Sequence, residues 1–155
     1  CTVNGYGCSA WVSGDYIQIL APTTGYQNTT MTLNLRSSPT GPAALNVQYS
    51  STGTGGTFTN LTSVTSGNDV CLSQTVDFTA INALDNNANV VIRLVGGNFG
   101  EADGAPSTGN PSGTGTLRID DVIINGVTTS PTLTTSVASL SGFTYVLGAG
   151  PSASH

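Results

Sequence analysis

The sequence predicts an all-β fold, an antiparallel β-sandwich of jelly-roll-like architecture, and three observations carry the prediction. Apolar and polar residues alternate with a period of two in several runs. Gly, Pro, Asn and Ser cluster between those runs. Almost no stretch has the three-to-four-residue apolar spacing of an amphipathic helix.

Taken in order, residues 15–20 read as a well-buried strand. Met31, Leu33 and Leu35 then alternate with Thr32, Asn34 and Arg36, which gives a strand with one wet face. Leu45, Val47 and Tyr49 repeat the pattern against Asn46, Gln48 and Ser50. Shorter strands are expected near residues 57–60 and 74–78, a buried one at 90–95, and a last strong one at 116–124. Within that last strand Leu117 and Ile119 share one parity while Val122 and Ile124 take the other, so a bulge at Asp120-Asp121 is expected to bring both pairs to the core. The one helical candidate, residues 80–87, has room for at most about two turns.

A chain of 155 residues suits one core of ordinary size. Residues 1–126 are read as the sandwich module, and 127–155 as a linker with a terminal strand. The apolar piece at 140–146 is too short to fold alone, so it is expected to open a following domain or to pair with another copy's sheet edge. Residues 96–115 form a long loop of Gly, Pro, Asn and Ser, a length that marks a functional or mobile segment.

Charge excludes several partners. Only 7% of residues are charged, against about 25% in ordinary domains, so the exterior must be polar without charge. Lysine is absent, and Arg36, Arg93 and Arg118 are the basic side chains apart from His155. A net charge of −5 leaves nothing to neutralise phosphate, which argues against nucleic acid and against anionic membrane surfaces. No apolar run is long enough to span a bilayer as a helix. A Thr-rich, lysine-free surface suits exposed strands and resists trypsin, so an extracellular, cell-surface location is expected.

The usual catalytic groups are missing. His155 is the only histidine, at the end of the chain, so a nucleophile would have no base, and no phosphate loop or metalloprotease motif occurs. The chain is therefore not expected to be an enzyme. Asp120 and Asp121 offer hard oxygens suited to a structural calcium, against the blander reading of a bulge whose carboxylates bond to Arg118 or to backbone. Trp11, Tyr26 and Phe99 are the candidates for stacking on a sugar ring, with core or edge packing the favoured reading of Trp11. Cys1, Cys8 and Cys71 are too widely spaced for a metal motif and predict one disulfide with one thiol left over. Cys8–Cys71 is the favoured pair because both adjoin strand-like segments, with Cys1–Cys8 as the alternative.

Gly14-Asp15-Tyr16-Ile17, then residues 31–38, 46–50, 89–94 and 115–122 with its Ile119-Asp120-Asp121-Val122, together resemble a β-sandwich module of large secreted and surface proteins of Bacteroidetes and related bacteria. Residues 139–145 with Gly148, Gly150 and Pro151 look like the opening of an immunoglobulin-like repeat. The resemblance implies a section of a longer extracellular chain. It also implies kinship with jelly-roll carbohydrate-binding domains, some of which hold calcium near the last strand.

Two functions are expected from these readings. The first is a non-catalytic structural or adhesive module of a secreted surface or fibrous protein, meeting other domains or copies of itself through the terminal strand. The alternative is an accessory carbohydrate-binding module, whose requirement is an aromatic ring exposed in a concave face.

Overall fold

The longest alternating run becomes the strand around which one sheet is built. The computed structural model describes residues 1, 5–97, 100–102, 104 and 115–129. Along them lie β1 (Tyr6–Ser9), β2 (Tyr16–Leu20), β3 (Tyr26–Ser37), β4 (Ala44–Ser50), β5 (Thr59–Thr65), β6 (Gly67–Asn68), β7 (Leu72–Asp77), a 3-10 turn (Asn82–Leu84), β8 (Val91–Gly96) and β9 (Thr116–Thr128). The chain folds into a five-stranded sheet of order β1-β9-β3 with β6 and β7 on the far side of β3, and a four-stranded sheet of order β2-β8-β4-β5. β7 pairs with residues Thr30–Leu35 of β3 and β6 with Arg36 and Ser37, so the two share one flank of β3. With that flank counted as one position, the interleaved order is that of a jelly roll. All strand pairs except the short β3–β6 contact are antiparallel.

Period-two alternation decides which side chains meet between the sheets. Met31, Leu33 and Leu35 of β3, Val76 of β7, and Leu117 and Ile119 of β9 are buried from one side. Leu45 and Val47 of β4, Val64 of β5, and Ile92 and Leu94 of β8 meet them from the other. Phe78 and Leu84 close one end of this layer. Phe78 donates its amide to Thr29, and the Thr23 hydroxyl donates to the Leu84 carbonyl, which ties the turn to the β2–β3 connection.

The predicted bulge is present. Thr32 faces Ile123 but Asn34 faces Asp120, so β9 carries an extra residue there, and Asp121 takes a left-handed backbone with φ of 49°. Beyond it Ile124 turns inward against Met31 and packs on the core, whereas Val122 stays outside the core cluster and 39% exposed. The predicted two-turn helix shrinks to the single 3-10 turn. β1 escaped notice because Tyr-Gly-Cys-Ser has no alternation to read. β9 continues to Thr128, paired with Tyr26, past the boundary expected at residue 126.

The expected Cys8–Cys71 disulfide is not formed. Cys1 and Cys71 are joined, with Cα atoms 5.4 Å apart, and Cys8 is the free thiol. Register explains the choice. Cys8 lies opposite Leu117 and packs toward the core from β1, whereas Cys71 precedes β7, on the other side of both β9 and β3. In the long loop, Glu101 bridges to Pro42 and Ala102 donates its amide to Gly41, which fixes that part of the loop beside β4. Phe99 and residues 130–155, including the expected terminal strand at 140–146, lie outside the described residues.

Candidate functional site

The outer face of the four-stranded sheet collects the groups with most chemical potential. In β2, Ile17 and Ile19 point inward, which sends Tyr16, Gln18 and Leu20 outward. In β8, Ile92 and Leu94 are core residues, so Arg93 and Val95 face out. In β4, Leu45, Val47 and Tyr49 face the core and Asn46 and Gln48 face out.

Register then lines these residues up across the sheet. Gln18 lies opposite Arg93, Arg93 opposite Gln48, and Gln48 opposite Asn60 of β5. Two pairs in the row are bonded: Arg93 Nε donates to Gln18 Oε1 at 3.0 Å, and Gln48 Nε2 donates to Asn60 Oδ1 at 2.8 Å. Two rings flank the guanidinium. Its carbon lies 4.1 Å from the centroid of Tyr16 and 3.6 Å from that of Phe58, close enough for cation–π attraction to both rings. Tyr16 remains 50% exposed. The result is a surface of aromatic edge, amide and guanidinium held flat by a packed sheet.

Charge is distributed unevenly between the sheets. Arg93 is the only charged residue in β2, β4, β5 and β8. Asp77, Asp120, Asp121, Arg36 and Arg118 all belong to the five-stranded sheet. Among the described residues the salt bridge is Arg36–Asp69, at 2.9 Å, also on that side.

Two hollows lie near the end of β2 and share Leu20, the larger extending to β3 and β9 of the other sheet. One, of about 490 Å³, is lined by Pro22, Tyr26, Thr29 and Ile124 among others. The other, of about 310 Å³, is lined by Pro22, Gly53, Asn89 and Val91 among others. Tyr26 is 46% exposed and sits in the larger hollow, as a stacking residue must. Trp11 does not meet that requirement. It is 4% exposed and part of the core, which is the packing role favoured for it over that of a platform. Its indole N–H finds no partner among the described residues.

Asp120 and Asp121 sit on the bulge of the other sheet, away from these rings. Asp121 Oδ2 accepts from Asn34 Nδ2 at 2.8 Å, and Asp120 Oδ1 accepts the Asp121 amide at 3.0 Å. These bonds fit the backbone-bonded reading of the pair. Among the described residues no group of three or more His, Cys, Asp or Glu side chains comes together.

Sequence reasoning missed Arg93, Phe58 and the amide row. Parity marked Gln48 as outward, whereas the strands of Gln18 and Arg93 were read as buried, and strand order alone makes the three neighbours. Neither a family model nor a curated protein matches the chain.

Proposed function

We propose that this chain is a non-catalytic adhesive module of a larger extracellular protein, and that it adheres to polysaccharide through the outer face of the four-stranded sheet. One observation carries the reading: Arg93 lies over both the Tyr16 and Phe58 rings, bonds Gln18, and shares a cross-strand row with the bonded pair Gln48 and Asn60. Sugars are recognised by rings that meet their C–H surfaces and by planar amides and guanidinium groups that bond in pairs to adjacent hydroxyls. A preformed sheet holds those groups in place, so little ordering cost falls on binding. The uncharged, lysine-free surface and the motif resemblance to jelly-roll binding modules support the same reading.

A glycan-array screen followed by pull-down on insoluble polysaccharides tests it, with calcium and again with a chelator. Binding that is lost in Tyr16→Ala and Gln48→Ala, while both variants melt like wild type, is expected. Silence across array and polysaccharides, or binding that both variants retain in full, refutes it. Loss with chelator in the wild type moves attention to calcium at Asp120 and Asp121.

A separate observation favours a structural role beside the adhesive one. Among the described residues β1 pairs only with Thr116–Ile119, so β9 from Asp121 onward has β3 on one side and no strand on the other. Ile123 and Val127 there are 52% and 56% exposed. A partner strand added at this edge would extend the sheet. Light scattering at increasing protein concentration checks it, and a monomer at every concentration rules out self-pairing.

A further inference from the structure

We infer that the face selects anionic glycans, with Arg93 as the residue that reads the acidic group; the inference rests on the glycan reading above. Three features of the site converge on it. The strands of this sheet carry one charge, positive, and no Asp or Glu; Asp15, just before β2, accepts the Val12 amide. The guanidinium carbon lies over the Tyr16 and Phe58 rings, 4.1 and 3.6 Å from their centroids, and Gln18 accepts from Nε, so the side chain is held in place before a ligand arrives. Its N–H fork is planar, with the terminal nitrogens as the remaining donors.

In-plane approach is the geometry by which a guanidinium bonds a carboxylate or a sulfate through two parallel N–H···O contacts. Holding the side chain in advance reduces the rotamer entropy that an unsupported arginine loses on binding. The rings leave the cation its charge, because they attract it through their quadrupoles rather than neutralising it. Neutral sugars would use the same amides without needing the charge. An arginine kept apart from every carboxylate of its own sheet is better matched to an acid on the ligand. Uronate carboxylates and sulfate esters share this chemistry.

Matched polymers separate the possibilities. Affinity electrophoresis is run with fully methyl-esterified and de-esterified polygalacturonate, and with dextran and dextran sulfate. The chain carries a net charge of −5, so non-specific attraction to a polyanion works against retardation rather than for it. Wild type is expected to bind the acidic member of at least one pair about tenfold more tightly, the scale of one good charge-assisted contact. The polygalacturonate pair reports a carboxylate and the dextran pair a sulfate. Arg93→Gln is expected to erase the preference. Arg118→Gln, on the five-stranded sheet, changes net charge equally and is expected to keep it. Equal binding to both members of each pair overturns the selectivity and leaves the adhesive reading standing. So does a preference that survives in Arg93→Gln. No binding to any polymer, with a silent glycan array, overturns both.

Discussion

Removing the Cys1–Cys71 bond is expected to cost about as much as deleting a large core side chain. The bond closes a loop with a sequence separation of 70 residues. In the chain-entropy model a loop of that length confines the unfolded ensemble by about 4 kcal/mol at room temperature. For a domain of this size such a loss lowers the melting temperature by roughly 10 °C. Urea unfolding of wild type with and without reductant, beside Cys71→Ser and Cys8→Ser, provides the assay. Reductant and Cys71→Ser are expected to lower the midpoint together, with Cys8→Ser close to wild type. A midpoint indifferent to reductant refutes the argument. So does a Cys8→Ser loss as large as that of Cys71→Ser, which would make Cys8 the bonded partner.

Burial pushes the Cys8 thiol above its ordinary range. Alkylation of native protein should therefore modify Cys8 alone, with a pH onset above that of a free thiol, as mass spectrometry can follow. The stability linked to this group is present below the ordinary thiol pKa and is lost as pH rises through the raised value. The Asp77 carboxylate is held below the usual range by the Thr79 amide, 2.8 Å away, and then by the Thr79 side chain. Its contribution is present above the ordinary Asp pKa and lost as pH falls through the depressed one, so NMR titration of Asp77 should give a low midpoint and Asp77→Asn a shallower acid limb. Asp121→Val should cost about 1–2 kcal/mol, since a β-branched residue resists the left-handed backbone and the Asn34 bond is lost, whereas Asp121→Gly should cost less. Trp11→Phe should lie within about 1 kcal/mol of wild type in urea unfolding, because the lost packing is offset by removing a buried N–H that has no partner among the described residues.

Local features of the fold were legible because their signals are local. Met31, Leu33 and Leu35 announce a strand with one dry face, and the parity change between Ile119 and Val122 announces the bulge. Strand order was not legible. Which half-cystine meets which depends on β9 and β3 lying between β1 and β7, and no spacing in the sequence encodes that. The site has the same origin. Gln18, Gln48, Asn60 and Arg93 come from separate strands and become a row only through cross-strand register. Trp11 was legible for a different reason: the bulk of a lone tryptophan favours packing over an exposed platform, and it fills the core.

The place of β9 in its sheet sets the timing of folding. It is the last strand in sequence among the described residues, yet it lies between β1 and β3 and pairs with both. Until it arrives, β1 has no hydrogen-bonding neighbour and β3 is open along one edge. A ribosome or export channel that has released the chain only to residue 115 has therefore released something unable to close its larger sheet. Such long-range closure is slow, with the millisecond-to-second times of non-local β topologies. Completion is thus a late, single event, and a chain shortened before Thr116 should stay protease-sensitive rather than form a smaller version of the same domain.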